Sequence, residues 1–220
     1  MGAFGGPDII TDGLVFAVDA GSTRSYAGSG TTAYNLVANN DVSLINGLGW
    51  QSGNGGYFSS DGTDDGMTTP DATNLDLVDF TLEGWVWWDQ HKDYGSFLVK
   101  GPGGNGNLFN YSFFGYYNRI SFGFGDGSGY RAIYISPPAI NEWHHITGTY
   151  DGSTLKFYLN STLVNSTSIT ATPNQNNDAL QILQSQYSID GRIGCAKVYN
   201  KALTAAEVLQ NYNAQKNRFI

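Results

Sequence analysis

The feature that most constrains the fold of this chain is the alternating stretch WHHITGTYDGSTLKFYLNSTLVNSTSI, residues 143 to 169. Its first strand places His144 and His145 on opposite faces, because successive side chains of a strand point to opposite sides. The Asp151-Gly152 pair is typical of a two-residue type I′ turn, and the tripeptide NST, from Asn160, turns the chain again. The stretch therefore predicts a three-stranded antiparallel meander, in which the two histidines form neither a metal site nor a catalytic pair.

Further segments carry the same strand signals, which are short runs of aromatic and β-branched residues bounded by glycine, asparagine and aspartate. These segments are GLVFAVDA, DFTLEGWVWW, GSFLVKG, NLFNYSFF, NRISFGFG, YRAIYIS and GRIGCAKVYN. The 29 glycines, 14 tyrosines and 12 phenylalanines suit many turns and aromatic strands better than helices. The pattern predicts one all-β domain built from two packed antiparallel sheets.

One helix is predicted, near the C-terminal end of the chain. Thr204, followed three residues later by Glu207, forms a capping box, so we expect a short helix over residues 205–213. The face expected to dock on the sandwich consists of Val208, Leu209 and Tyr212. The domain then spans residues 13–213, with an N-terminal arm over residues 1–12 and a C-terminal tail over residues 214–220.

Charge and composition exclude several classes of partner. The formal net charge is −8, and no run of basic residues is available to neutralise successive phosphates, so nucleic acid is not an expected partner. No stretch approaches the roughly 18 apolar residues of a membrane span, so membrane insertion is not expected. The opening MGAFGGPDIITDG lacks the basic and apolar regions of an export signal, and synthesis in a cytosol is expected. The single cysteine, Cys195, excludes an intrachain disulfide and is expected to fill the core.

Three ordered segments carry a resemblance to a known family. FTLEGWV, EWHHITGTYDGSTLKFYLNSTLV and IDGRIGCAKVYNKALTAAEVLQNYNA resemble, in order and spacing, the laminin-G-like domains of the concanavalin A-like jelly-roll family. The resemblance covers residues 13–213. It implies a jelly-roll β-sandwich of two antiparallel sheets with one short C-terminal helix. Function on this fold varies from lectin to hydrolase to scaffold, so the fold alone does not assign an activity.

The N-terminal half narrows the resemblance. DGLVFAVDAGSTRSYAGSGTTAYNL, followed by NGLGW and GGYFSSDGTDDGM, is similar to the opening of laminin-G-like structural proteins of tailed bacteriophages, especially marine ones. This implies a virion structural protein, such as a decoration, fibre or tail component, that is oligomeric in the particle and displays its domain for adhesion to a host-surface glycan. The alternative is a free carbohydrate-binding lectin. Contact with other virion proteins is expected through the arm, whose Ile9 and Ile10 can add to a neighbour's sheet edge.

The carboxylates do not indicate an enzyme. A retaining glycosidase needs two carboxylates about 5 Å apart, and the three glutamates, Glu83, Glu142 and Glu207, lie in no compact strand motif of that kind. A GxSxG nucleophile elbow is also missing from the sequence. We therefore expect a non-enzymatic protein with no catalytic residues.

The acidic loop SDGTDD is a candidate metal site. Asp61, Asp64 and Asp65 offer the hard oxygen ligands that calcium prefers, and several laminin-G-like proteins bind calcium through loop acids and carbonyl groups. A structural calcium ion is therefore the one cofactor that the sequence suggests, and the alternative for this loop is a solvated acidic turn.

Glycan binding is expected to depend on aromatic residues and polar loops. A sugar packs its C–H face on an aromatic ring, while asparagine and aspartate side chains bind its hydroxyl groups. The loops DQHKDYG and GPGGNGN flank the GSFLVK strand and combine these residue types. The aromatic residues available for a stacking platform are Trp85, Trp87, Trp88, Tyr94, Tyr116 and Tyr117, of which about half are expected to line the core instead. The candidate ligand-binding residues are Trp87, Trp88, Asp89, His91, Tyr94, Asn105 and Asn107.

Overall fold

The computed structural model of the chain describes residues 7–183 and 187–220. Within these ranges the strands are β1 (Leu14–Asp19), β2 (Thr32–Ala33), β3 (Val42–Ile45), β4 (Gly49–Gln51), β5 (Tyr57–Asp61), β6 (Gly66–Thr69), β7 (Phe80–Gln90), β8 (Ser96–Lys100), β9 (Tyr111–Gly115), β10 (Ile120–Gly125), β11 (Tyr130–Ile135), β12 (Trp143–Tyr150), β13 (Thr154–Leu159), β14 (Thr162–Ser168), β15 (Leu180–Ile182) and β16 (Asp190–Tyr199). One α-helix, α1 (Ala205–Phe219), follows the last strand, and short 3-10 turns lie at Gly53–Gly55, Thr73–Leu75 and Gly106–Leu108.

The strands form two antiparallel sheets that pack face to face. Sheet I has the order β14-β13-β12-β7-β16-β5-β4, with β1 also paired to β16. Sheet II has the order β11-β10-β9-β8-β15-β6-β3-β2. This arrangement confirms the predicted all-β, jelly-roll sandwich with a single C-terminal helix.

The core between the sheets is built largely from aromatic rings. Phe80 lies 5.8 Å from Phe122 between ring centroids, and Phe124 lies 4.6 Å from Tyr150. Gly148 is needed opposite Phe122, because a Cβ atom at that position would come within 2.4 Å of the ring. The close approach of the two sheets therefore depends on a glycine where β12 crosses β10.

The predicted meander of β12, β13 and β14 is present, but its two turns differ from each other. The first turn lies between the paired residues Tyr150 and Leu155, and only Gly152 within it has a positive φ, of 81°. The Asp151 carboxylate closes this loop by accepting backbone N–H groups two and three residues later. The prediction of a two-residue type I′ turn was therefore wrong at this place. The turn with two positive φ values is at Asn160 and Ser161, with φ of 48° and 66°.

The two histidines lie on opposite faces of β12, as the alternation predicted. The ring of His144 packs 6.0 Å from Trp88, and its Nε2 lies 2.9 Å from the carbonyl oxygen of Ala139. The ring of His145 packs 5.2 Å from Trp85 on the opposite side of sheet I. Both side chains are buried, and they contribute to two different layers of the molecule.

Helix α1 covers the outer face of sheet I. Its N-terminus has the predicted capping box, in which Thr204 and Glu207 exchange side-chain and backbone hydrogen bonds. The helix ends at Phe219, so it is longer than the predicted 205–213, and most of the predicted tail, residues 214–220, is helical. Residues 214–219 contain no glycine or proline that would end the helix.

The docking face of α1 also differs from the prediction. Val208 is buried as expected, but Leu209 is 47 % exposed. The principal anchor is Phe219, whose ring stacks 4.6 Å from Trp85 and lies 4.8 Å from Trp143. The end of the helix, which the sequence pattern did not mark, is therefore an essential part of its contact with the sheet.

A buried polar network lies between α1 and sheet I. The Nζ atom of Lys197 lies 2.8 Å from Oε1 of Glu83 and 2.7 Å from Oε1 of Gln215. Asn211 of the helix donates to Oε2 of Glu83 at 2.8 Å, and Nε2 of His145 lies 3.4 Å from Oε1. The ammonium and the carboxylate thus neutralise each other in a site from which water is excluded. Cys195 is buried beside this network, as its predicted role in the core requires.

Residues 7–12 pack on their own domain. The backbone N–H of Ile10 donates to Oδ1 of Asn211 at 2.7 Å, and the Ile10 carbonyl accepts from the hydroxyl of Tyr199 at 3.1 Å. Asp12 forms an ion pair with Lys201. Ile10 is therefore hydrogen-bonded within its own domain, and contact with other virion proteins through the arm stays a prediction. Residues 1–6 of the predicted arm lie outside the described residues. In the ranges described, no helix has the length and apolar character needed to cross a membrane.

Candidate functional site

A groove with a volume of about 540 Å³ lies on the face of sheet II that points away from the core. The groove lies over β10, because Phe122 and Phe124 point into the core and Ser121, Gly123 and Gly125 face this side of the sheet. These small residues are buried beneath the groove, and Ser121 is paired with Phe114 of β9 and with Tyr134 of β11, so aromatic rings flank it on both sides. The groove is lined by Tyr94, Ser96, Gly104, Gly106, Asn107, Phe109, Phe114, Tyr116, Tyr130, Tyr134 and Tyr187.

The aromatic rings form a connected wall. Tyr94 has ring-centroid distances of 6.1 Å to Tyr187 and 6.0 Å to Tyr116. Tyr116 in turn lies 5.8 Å from Tyr134, and its interplanar angle to that ring is 34°. Because each ring packs against its neighbours, the wall is positioned before any ligand arrives.

The phenol groups supply neutral hydrogen-bonding positions. The hydroxyl of Tyr130 lies 2.9 Å from Oγ of Ser112 and 3.1 Å from Oγ of Ser121, which fixes its ring over β9 and β10. Burial raises the pKa of Tyr130 above its ordinary value. The hydrogen bond that Tyr94 donates to Tyr117 raises the pKa of Tyr94 to about 12. These phenols are therefore uncharged at neutral pH and can both donate and accept.

The second wall comes from the GPGGNGN loop. The side chain of Asn105 accepts from the backbone N–H of Asn107 at 3.2 Å and so begins the 3-10 turn Gly106–Leu108. A Cβ atom at Gly125 would lie 2.1 Å from the carbonyl oxygen of Asn107, so this turn can cross β10 only where that strand has a glycine. Asn107 lines the groove, and Asn105 is exposed beside it.

Four predicted ligand-binding residues lie elsewhere. Trp88 is 3 % exposed and belongs to the core between the sheets. Trp87, on the other face of β7, donates from Nε1 to Asp89 at 2.8 Å, and the guanidinium of Arg192 lies 4.5 Å from its ring centre. Both tryptophans belong to sheet I, while the groove is on sheet II, so Trp87, Trp88 and Asp89 lie outside the groove that contains Tyr94.

His91 lies in a separate and more polar depression of about 260 Å³. Its Nε2 lies 2.8 Å from the carbonyl oxygen of Pro138. Lys92, Asn118 and Arg119 also line this depression. It is smaller than the groove and has no comparable aromatic wall, so we take the groove as the candidate site.

Of the predicted ligand-binding residues, the groove therefore includes Tyr94 and Asn107, with Asn105 supporting the turn. Tyr116, from the wider aromatic set, also lines it. Sequence reasoning did not select Phe114, Tyr130 and Tyr134. Their signal was available, because the segments YSFFGYY and YRAIYIS carry outward aromatic residues on both sides of ISFGFG, whose outward positions are serine and glycine.

The predicted metal ligands are close together. Carboxylate oxygens of Asp61, Asp64 and Asp65 all lie within 4.8 Å of one another. Oδ2 of Asp65 accepts the backbone N–H of Asp61 at 3.1 Å, and Oδ1 of Asp61 accepts that of Thr63 at 2.7 Å. Burial raises the pKa of Asp65, and the charges of Asp61 and Asp64 also raise it. The donor set suits a hard cation, and a calcium ion at this loop stays a prediction.

Comparisons with protein families and with curated proteins give different results. A sequence model of the concanavalin A-like lectin/glucanases superfamily, of the laminin G type, matches residues 61–209. No curated protein matches the chain.

Solved structures share the fold at low sequence identity. Domain 4 of AbnA, an extracellular GH43 arabinanase from Geobacillus stearothermophilus, solved in complex with arabinotriose, is 15 % identical with a TM-score of 0.74, covering 90 % of this chain and 98 % of that one. The binding domain of botulinum neurotoxin serotype D is 14 % identical with a TM-score of 0.74, covering 94 % of this chain and 53 % of its own. Trypanosoma rangeli sialidase is 15 % identical with a TM-score of 0.70, covering 96 % of this chain and 34 % of its own. This chain thus spans about half of the neurotoxin domain and about a third of the sialidase.

Proposed function

The chain belongs to the concanavalin A-like lectin/glucanases superfamily, and from this premise we propose that it is a non-enzymatic domain that binds a glycan in the aromatic groove of sheet II. The observation that carries the proposal is the connected wall of tyrosine and phenylalanine rings, beside which serine, glycine and asparagine residues line the groove. Such a surface matches the two faces of a sugar, whose C–H groups pack on rings and whose hydroxyl groups need hydrogen-bonding partners.

The chemistry of the groove favours an uncharged glycan. Its lining residues are aromatic, amide, hydroxyl and glycine residues, and none of those described carries a charge at neutral pH. The volume of about 540 Å³ lies in the usual range of small-molecule sites. The net charge of −8 also disfavours an anionic ligand through long-range repulsion.

The positions and structural roles of the carboxylates support binding without catalysis. Among the described groove residues none is an aspartate or a glutamate, so the groove offers no acid or base pair for glycosidic cleavage. Glu83 is enclosed with Lys197 under α1, and Glu207 caps the helix. The structure of an arabinanase domain in complex with arabinotriose, which has the same fold, supports a sugar as the ligand class.

We further propose that the domain is displayed on a bacteriophage particle as a decoration, fibre or tail component. This finer proposal is supported by the resemblance of the N-terminal half to phage structural proteins. Mass spectrometry of purified particles tests it. Presence of the chain in intact particles would support it, and a chain found free of particles but active in glycan binding would favour the alternative, a free lectin.

The glycan proposal is tested by a glycan array followed by calorimetry on the best neutral oligosaccharide. We expect Tyr116→Ala and Tyr134→Ala each to weaken binding about tenfold, which corresponds to about 1.4 kcal/mol, because each removes a stacking ring. Tyr34→Ala is the matched control, since Tyr34 is 52 % exposed and lies outside the groove. Equal losses in all three variants, or none in the groove variants, would contradict the assignment of the site.

A further inference from the structure

The ammonium of Lys100 lies in a cage of five oxygen atoms at one end of the core. The Lys100 side chain is fully buried at the end of β8. Its Nζ lies 2.8 Å from Oδ1 of Asp71 and 2.9 Å from Oδ1 of Asp76. Asn176 contributes its carbonyl oxygen at 2.9 Å and its Oδ1 at 3.3 Å, and the carbonyl oxygen of Asp178 lies at 3.2 Å.

The cage contains more acceptor oxygens than a single ammonium group can bind. A lysine ammonium has three protons to donate, whereas five oxygens surround it. Two of those oxygens belong to carboxylates, so two negative charges face one positive charge. Two carboxylates with an amide oxygen and backbone carbonyls are the ligands that a calcium ion takes. The oxygen set is therefore that of a hard divalent cation, although its occupant is a side chain.

The residue paired with Lys100 carries a buried hydroxyl. Tyr111 is paired with Lys100 across β8 and β9, and both side chains point to the inner face of sheet II. The hydroxyl of Tyr111 is buried and has no hydrogen-bond partner. Burial raises the pKa of Tyr111, and the charges of Asp76 and Asp71 raise it further.

The cage also joins the segments that support the groove. Asn176, a cage residue, donates from Nδ2 to the carbonyl oxygen of Leu108 at 2.9 Å. Asn174, two residues earlier, donates to the same oxygen at 2.8 Å and to the carbonyl of Gly125 at 2.7 Å. Leu108 ends the 3-10 turn that forms the second wall of the groove. The ammonium is thus linked to that wall through one short segment of chain.

We propose that Lys100 acts as a built-in cation in a divalent-cation site, and that it positions the Gly106–Leu108 wall of the groove from behind. The first part is independent of the glycan. The second part rests on the proposed function in one respect, because the wall serves glycan binding only if the groove is the glycan site. One consequence is chemical: removal of the side chain should open a site for calcium, the class of ion that this oxygen set suits.

Three variants test the cation site by thermal unfolding, measured in EDTA and in about 5 mM CaCl2. This calcium concentration exceeds the dissociation constants of weak protein calcium sites. Lys100→Ala empties the cage, Lys100→Met fills it without charge, and Lys100→Ala with Asp76→Asn removes one ligand. We expect all three to melt several degrees below the wild type in EDTA. Calcium should raise the melting temperature of Lys100→Ala more than that of the wild type, and this excess should vanish in the other two variants.

The comparison between variants separates this site from the Asp61 cluster, which is unchanged in all of them. An equal calcium response of the wild type and Lys100→Ala would overturn the proposal. So would failure of Lys100→Ala to fold both with and without calcium, since calcium then cannot replace the ammonium.

Hydrogen–deuterium exchange tests the positioning role without any glycan. In Lys100→Met we expect the amides of Leu108 and Phe109, which close the 3-10 turn, to exchange at least about tenfold faster than in the wild type. The amides of β13, which belongs to sheet I, serve as the internal control. Equal acceleration in both places would indicate a general loss of stability and would overturn the positioning role, even if glycan binding at the groove were established.

Discussion

At the scale of single residues, the buried pair of Glu83 and Lys197 dominates the electrostatics of the domain. Burial raises the pKa of Glu83, but Lys197 and then His145 more than offset this effect, and its pKa falls to about 2. The ordinary value is 4.5, so the folded state favours the ionised carboxylate. This contribution to stability is fully present above about pH 4.5 and is lost as the pH falls towards 2.

We expect Glu83→Gln to lower the free energy of unfolding by about 3 kcal/mol at pH 7, because it leaves the Lys197 ammonium buried without a counter-charge. Urea unfolding at pH 7 and at pH 3 measures the effect. The stability of the variant should also fall less between these two pH values than that of the wild type. Glu142→Gln is the control, since the Glu142 side chain is 60 % exposed. An unchanged acid dependence in Glu83→Gln would contradict the role given to this carboxylate.

The acidic loop carries the second prediction at this scale. We expect calcium to raise the melting temperature of the wild type, because it would relieve the repulsion between Asp61, Asp64 and Asp65. Asp65→Asn should remove this response, whereas Asp79→Asn, which changes an exposed carboxylate outside the cluster, should keep it. If the wild type melts at the same temperature in calcium and in EDTA, the loop is a solvated acidic turn that binds no calcium ion.

At the scale of elements, α1 is held by its last turn as much as by its cap. Phe219 packs between Trp85 and Trp143, while Leu209 of the same helix faces solvent. Arg218 adds an ion pair to Asp19 of β1, so the last turn is tied to β1, β7 and β12 of sheet I and to the loop before β5. The helix is thus part of the domain to its final residues.

We expect Phe219→Ala to lower the free energy of unfolding by about 3 to 5 kcal/mol, since it removes a buried ring from a packed cluster. Leu209→Ala is the matched control on the same helix and should change stability by less than about 0.5 kcal/mol. Chemical denaturation measures both. Similar losses for the two variants would mean that the helix docks through another face.

At the scale of the whole molecule, the chain segment before β1 belongs to the domain from Ile10 onwards. Deletion of residues 1–12 removes one hydrogen-bond or ion-pair partner from each of Asn211, Tyr199 and Lys201, so we expect a lower melting temperature with the sandwich still folded. Deletion of residues 1–6 is the control, because it leaves these contacts in place. A melting temperature unchanged by the longer deletion would show that the contacts contribute nothing. Particle incorporation of the two deletions separately tests the proposed attachment through residues 1–12.

Much of the fold could be read from local sequence signals. The alternation of residues along β12 correctly predicted that His144 and His145 lie on opposite faces. The spacing of Thr204 and Glu207 correctly predicted where α1 begins. The ordered segments around Trp85, Trp143 and Cys195 indicated the family. These features depend on residues that are neighbours in the chain, where backbone geometry alone decides which way each side chain points.

The candidate site could not be predicted from local sequence patterns alone. Tyr94 and Asn107 were selected, but Trp87 and Trp88 fall on the two faces of sheet I, while the rings of the groove come from β9 and β11 of sheet II and from connecting segments. The strand order and the position of α1 determine which face of each sheet is exposed. The cage around Lys100 likewise needs residues distant in the chain, since Asp71 lies 29 and Asp178 lies 78 residues from Lys100. Residue types and periodicity therefore determined the strands and the family, whereas the long-range pairing of strands decided which side chains meet, because only the folded chain brings distant loops to one end of the sandwich.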